Sequence, residues 1–127
     1  MTLLAPPAPV TTTRARWLPV CAIDDLEPER GRAALIGSTQ IALFLLHSGR
    51  IHAVSHRDPY SGAHVMARGI VGTRADAPTV ASPMYKQVFD LRTGACLDAQ
   101  GKEEKSLQTW PTAVRNGEVL VRWEGDR

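Results

Sequence analysis

The chain carries two proline-containing loops around which the rest of it is arranged: SHRDPYSGAH at residues 55–64 and ASPMYKQVFDLRTG at residues 81–94. Each loop follows a short apolar run, residues 51–54 before the first and residues 79–81 before the second. The second loop continues into Phe89-Asp90-Leu91 and a Thr93-Gly94 turn. Two such loops at the tips of strands form a shape that can hold a small object between them.

Short apolar runs recur along the chain, separated by Gly, Pro, Asn, Asp and Ser, which is typical of a small antiparallel β fold. Helix is expected only as one short turn near residues 64–68. Residues 72–78 are interpreted as a polar insertion between the two loops, after a brief pairing at residues 70–71. Strands are predicted at residues 17–22, 32–36, 40–46, 51–55, 79–82 and 88–91, with a closing hairpin of residues 107–115 and 118–123.

Two local signals in the outer strands are specific. Asn116-Gly117 favours a type I′ turn, because both residues tolerate a positive φ angle. Pro19 lacks a backbone N–H group, which places the first strand at a sheet edge. Alternation along the strands predicts a core of Leu18, Val20, Ala34, Ile36, Ile41, Leu43, Leu45, Ile51, Ala53, Val80, Phe89, Leu91, Val114, Val119 and Val121.

The composition limits the class of protein. The 127 residues are 43% hydrophobic and carry a formal charge of +2, which suits one globular domain and not a nucleic-acid-binding protein. Residues 1–16 lack acidic groups and are rich in Pro, Thr and Ala, so we expect a disordered tail followed by a domain at residues 17–124.

No apolar run is long enough to cross a bilayer, and no signal peptide is evident, so a cytoplasmic location is expected. Cys21 and Cys96 are expected to be buried or half-buried thiols in strands.

The loop pair resembles that of the Rieske iron–sulfur domains. There the first loop reads Cys-Pro-His-x-Gly-Ala, and the second reads Cys-Pro-x-His followed by Phe-Asp-Leu-x-Thr-Gly. This chain keeps the prolines, glycines and turn residues of both loops. The resemblance implies an all-β Rieske-like fold, a small antiparallel β sandwich or barrel with two loop tips. It covers roughly Trp17 to Trp123.

All four positions of the cluster ligands are changed. Asp58 and Ser82 stand where the cysteines would be, and Tyr60 and Tyr85 stand where the histidines would be. A Rieske centre needs two thiolates and two imidazoles, whereas these side chains are hard oxygen donors. We therefore expect no cluster, no metal site and no cofactor on this chain.

A Rieske scaffold without these ligands resembles the small subunit of the assimilatory NAD(P)H-dependent nitrite reductases. That resemblance implies a large partner subunit that carries flavin, an iron–sulfur centre and sirohaem and reduces nitrite to ammonium. It implies a role for this chain in assembly, stabilisation or gating of electron flow, with no activity of its own. The sequence agrees in lacking a dinucleotide or phosphate-binding glycine motif.

The loop residues allow more than one role. Asp58 and Ser82 are expected to bond backbone amides of their own loops, and a nucleophile–base pair or a metal site with His56 and His64 is a lesser alternative. His47 and His52 are expected to lie at a turn and on a strand face, as structural or solvated residues. The two tyrosines are expected to fill the space of a cluster and tie the loops together. In a second, compatible interpretation the tips form a docking surface of Pro59, Tyr60, Met84, Tyr85 and Lys86.

Two other functions remain open. One is a Rieske-type ferredoxin with unorthodox ligands, and the other is a stand-alone binding module for a small ligand or regulatory protein.

Overall fold

The computed structural model describes residues 16–124. Residues 1–15 lie outside this range, and with them nearly all of the predicted tail. Two short 3-10 helices, Ile23–Asp25 and Met66–Arg68, accompany the strands. The strands are β1 Arg16–Ala22, β2 Gly31–Ile36, β3 Thr39–Leu45, β4 Ile51–Ser55, β5 Ile70–Arg74, β6 Ala77–Ala81, β7 Val88–Asp90, β8 Cys96–Asp98, β9 Thr109–Trp110, β10 Thr112–Arg115 and β11 Glu118–Trp123.

The strands form three antiparallel sheets, in the orders β1-β11-β10, β2-β3-β4-β9 and β5-β6-β7-β8. The prediction that Pro19 lies on an edge strand is confirmed, since β1 pairs only with β11 and its register shifts between Pro19 and Cys21. The predicted type I′ turn is confirmed as well, because Asn116 and Gly117 have φ angles of 53° and 78°.

Strand β3, in the second sheet, has both faces buried, because the first sheet covers one face and the third sheet covers the other. Ile41 and Leu43 pack in the first core with Val119 and Val121. The intervening residues of β3 pack in a second core, which consists of Ala42, Phe44, Val54, Met66, Val80, Phe89, Leu91 and Leu107. The predicted core missed much of this second set, because strict alternation assigns only one buried face to each strand.

Two predictions about individual segments are wrong. Val114 was placed in the core but is 51% exposed, because it lies on edge strand β10 close to the hairpin turn. Pairing does not stop at residue 71 as expected, since residues 72–78 belong to the hairpin of β5 and β6, whose turn includes Ala75 with a φ angle of 52°. Strand β5 is an edge strand, so its polar side chains face solvent and lack the alternation that indicates a strand.

The connectivity places the two proline loops at one end of the molecule. The first loop joins β4 to β5 and the second joins β6 to β7. In antiparallel sheets the β3–β4 and β5–β6 turns then lie at the opposite end. We call residues 56–65 loop 1, residues 82–87 loop 2, residues 99–108 loop 3 and the loop-bearing end the tip.

Candidate functional site

The centre of the tip is a buried hydrogen bond between loops 1 and 2. Asp58 and Ser82 are 0% and 1% exposed, and the Ser82 hydroxyl donates to Asp58 Oδ2 at 2.6 Å. The other carboxylate oxygen, Oδ1, accepts the Tyr60 amide at 2.8 Å, and Ser82 Oγ accepts the Met84 amide at 3.2 Å. The expected bonds to the loops' own amides are therefore present. The bond between the loops, here called the Asp58–Ser82 bridge, was not predicted, although the two residues occupy paired positions in the motif.

Tyr60 connects loop 1 to loop 3. Its hydroxyl donates to the Glu103 carbonyl at 2.7 Å and accepts the Lys105 amide at 2.9 Å. Desolvation raises the pKa of Tyr60, so the phenol keeps the proton that it donates at neutral pH. The ring centroid lies 6.2 Å from that of Phe89 in the second core. Tyr60 therefore links the loops, as expected, but it does so through loop 3.

The tip of loop 2 is exposed. Met84 and Tyr85 are 44% and 52% exposed, so the expectation that Tyr85 fills the interior beside Tyr60 is wrong. Lys86 is exposed too, with a φ angle of 68°, and its carbonyl accepts Gln100 Nε2 at 3.3 Å. Loop 2 therefore holds an aromatic ring, a thioether and an ammonium group in solvent while its base is fixed by hydrogen bonds.

The predicted candidate residues do not form a nucleophilic or metal site. The Ser82 hydroxyl donates to Asp58 and not to a histidine, and buried His56 uses Nδ1 to accept the Ala67 amide at 3.1 Å. His64 is exposed, with its ring centroid 6.1 Å from that of His56. Within residues 16–124 no three His, Cys, Asp or Glu side chains converge in a way that would hold a metal ion.

A Rieske-type cluster does not fit the four degenerate positions. Such a cluster requires two thiolates on one iron and two imidazoles on the other. The positions instead offer a carboxylate and a hydroxyl that are bonded to each other, a phenol engaged by loop 3 and a phenol that points into solvent. Cys96 is half-buried on β8, with Sγ 3.4 Å from the Tyr60 hydroxyl, and Cys21 is half-buried on β1, as predicted for both thiols.

A cleft of about 580 Å³ lies at the end opposite the tip, between the β3–β4 and β5–β6 turns. His47 and His52 line it, on a turn and on a strand face as predicted, beside Arg50 and Arg92. Burial lowers the pKa of His52, with the charge of Arg50 as the next cause. Its Nε2 atom is buried and has no hydrogen-bond partner among residues 16–124.

Half-buried His52 and buried His56 predict a loss of stability in mild acid. Burial is the largest cause that lowers the pKa of both residues, so in the fold they bind protons at lower pH than in the unfolded chain, where the ordinary pKa of histidine is 6.5. The unfolded state then holds more protons, so the free energy of unfolding falls as the pH drops through this value. Urea midpoints between pH 8 and pH 5 measure this decline.

Substitution His52→Gln is expected to flatten that pH dependence, and His47→Gln, at an exposed turn, serves as the matched control. Asp90, whose pKa is lowered first by its side-chain hydrogen bond to Arg92, adds a separate loss only at more acidic pH, near and below 3.8. An equal acid decline in wild type and His52→Gln would show that this imidazole does not contribute.

Comparison with known proteins places this geometry in a family. The model of the Rieske-like [2Fe-2S] domain matches residues 16–122. The nitrite reductase (NADH) small subunit of Escherichia coli K12 is 36% identical over 109 residues, which cover 85% of this chain and 98% of that protein. The chain belongs to the nitrite reductase small-subunit family. The Rieske-like all-β fold expected from the loop pair is thereby confirmed.

Solved structures of the family agree with the fold. NirD of Escherichia coli matches with a TM-score of 0.77 and 34% identity, covering 88% of this chain and 100% of that chain. The Erwinia carotovora small subunit matches with a TM-score of 0.71 and 36% identity, covering 87% of this chain and 84% of that one. The ferredoxin of carbazole 1,9a-dioxygenase from Nocardioides aromaticivorans, 20% identical with a TM-score of 0.70, shares the fold alone.

A further relative carries the family domain inside a much longer chain. The "Nitrite reductase [NAD(P)H] large subunit" of Klebsiella oxytoca is 36% identical over 105 residues, which are 83% of this chain but 11% of that protein.

Among residues 16–124, no helix combines the length and the apolar character that crossing a membrane requires.

Proposed function

We propose that this chain is the small subunit of a cytoplasmic NAD(P)H-dependent nitrite reductase and that it assembles with a large subunit. The complex reduces nitrite to ammonium in nitrate and nitrite assimilation. Flavin, iron–sulfur and sirohaem groups belong to the large subunit, and this chain contributes assembly, stabilisation or gating of electron flow. The observation that carries the proposal is the Asp58–Ser82 bridge. Its two residues stand where the cluster-binding cysteines of a Rieske domain would be, and they are hydrogen-bonded to each other.

The tip is the proposed contact surface, with Pro59, Tyr60, Met84, Tyr85 and Lys86 at its centre. Aromatic and Met side chains are common at the centres of protein interfaces. Hydrogen bonds fix the bases of these loops, so little conformational entropy is lost when the tip docks. The Klebsiella relative supports the pairing, since a long reductase chain there contains a segment similar to this domain. The domain itself is proposed to span residues 17–124.

Co-expression with the large subunit tests this function. Nitrite-dependent NAD(P)H oxidation is measured with the large subunit alone and with this chain added. We expect several-fold higher activity, or slower loss of activity on storage, when the chain is present, and no nitrite-dependent oxidation by the chain alone. Equal activity and equal stability with and without the chain would contradict the proposal.

A Rieske-type electron carrier is the second candidate, favoured by the ferredoxin-like fold and by the family's [2Fe-2S] description. Anaerobic reconstitution with iron and sulfide separates the two candidates. We expect no stable visible chromophore, because the donor set lacks thiolates and imidazoles at the four positions. A chromophore with matched iron and sulfide would establish the carrier. A stand-alone binding module would be indicated if pull-down from native cells never recovers a flavin- or sirohaem-containing chain.

A further inference from the structure

The lysines of this chain are concentrated at the tip. Lys86, Lys102 and Lys105 are the only lysines among the 127 residues, and the other twelve of the fifteen basic residues are arginines. One lies in loop 2 and two lie in loop 3. All ion pairs found within residues 16–124 are made by arginines, so the three ammonium groups have no carboxylate partner there. Their charges are therefore available to a binding partner.

Loop 3 is fixed to both other loops, which makes these charges part of one surface. The Tyr60 hydroxyl binds its backbone at Glu103 and Lys105, and Gln100 binds the Lys86 carbonyl. Lys105 Nζ lies 5.7 Å from the centroid of the Tyr60 ring, within the range of a cation–π contact. Lysines on a free loop would lose more entropy on binding than lysines on a loop held at three points.

A cleft of about 730 Å³ opens between these loops. Two tyrosines, two lysines and one glutamate line it: Tyr60, Tyr85, Lys102, Lys105 and Glu103. The carboxylates of Glu103 and Glu104 separate the two lysines in sequence, so the surface favours a single local carboxylate over an extended polyanion such as nucleic acid. The overall charge of +2 agrees with this choice.

We infer that the cleft between Tyr60, Tyr85, Lys102 and Lys105 receives an acidic segment of the large subunit, with loop 3 as a third component of the docking surface. This inference rests on the proposed function and adds the chemistry of the partner's surface. An Asp or Glu side chain enters between the two ammonium groups, and its apolar stem packs against the tyrosine rings. Acidic residues of the large subunit attract the lysines and accelerate association, so the association rate depends on ionic strength.

Charge reversal tests the inference with a matched control. In Lys102→Glu with Lys105→Glu, the affinity for the purified large subunit at low salt is expected to fall by about 10- to 100-fold, and its salt dependence is expected to weaken. The control, Arg50→Glu with Arg115→Glu, makes the same change in net charge at exposed residues away from the tip that form no ion pair within the described part of the chain. Lys102→Arg with Lys105→Arg is expected to retain binding.

The outcomes separate this inference from the function on which it rests. If Lys102→Glu with Lys105→Glu weakens binding and the arginine control does not, both the inference and the proposed function are supported. If the wild type binds and the tip reversal does not weaken binding, the inference is overturned while docking stands. Equal weakening by both reversals overturns it as well, because net charge would then account for the effect. If the wild type itself does not bind, the proposed function and the inference fall together.

Discussion

Asp58→Ala is expected to lower the free energy of unfolding by about 3 kcal/mol or more, which is a large part of a small domain's stability. Asp58 is fully buried, and its carboxylate accepts the Ser82 hydroxyl and the Tyr60 amide. Alanine leaves both donors without an acceptor, and each such loss costs about 1–3 kcal/mol. The two loops then lose their direct connection. Urea denaturation followed by circular dichroism measures the change.

Asp24→Ala is the matched control for this prediction. Asp24 is exposed at the start of a short 3-10 helix, so its removal is expected to change stability by no more than about 0.5 kcal/mol. Ser82→Ala and the double variant complete a cycle, and a coupling energy well above zero is expected because the two side chains touch. If Asp58→Ala unfolds at the same urea concentration as Asp24→Ala, the bridge does not hold the loops.

The double substitution Met84→Ala with Tyr85→Ala is expected to weaken binding to the large subunit by about 30-fold or more, in the range that removal of a central aromatic anchor produces. Both side chains are about half exposed, so the free energy of unfolding is expected to change by less than about 1 kcal/mol. Titration calorimetry with the purified large subunit measures the affinity, and urea midpoints verify the fold.

Trp17→Ala with Val114→Ala provides the comparison. These side chains are 47% and 51% exposed, and they lie on β1 and β10, away from loops 1 to 3. The pair removes a similar amount of exposed apolar surface and is expected to leave the affinity unchanged. Loss of binding in this pair, with retention in Met84→Ala and Tyr85→Ala, would place the interface elsewhere on the domain.

Local chemistry made much of the fold predictable. The Asn116-Gly117 turn, the edge position of Pro19 and the short turn near Met66 follow from backbone preferences that act within a few residues. The second face of β3 was missed because burial on both sides depends on a third sheet that the alternation of one strand cannot indicate. The β5–β6 hairpin was missed because an edge strand can be polar throughout and still pair.

The sequence predicted which residues form the candidate site better than it predicted the contacts that they make. The motif named Asp58, Tyr60, Ser82 and Tyr85, and short-range rules placed the Asp58 and Ser82 bonds to nearby amides. The bond from Ser82 to Asp58 spans 24 residues, and the bonds from Tyr60 reach residues 103 and 105. Contacts of that length depend on how sheets pack, so loop 3 entered the site only with the structure.

Amide hydrogen exchange of this chain, alone and with the large subunit, tests the central proposal most directly. We predict new protection in residues 59–63, 83–87 and 100–106 of the complex, and unchanged exchange in the β3–β4 and β5–β6 turns at the opposite end. New protection confined to those turns, or none in any of the three loops, would contradict the docking of the tip on a reductase partner.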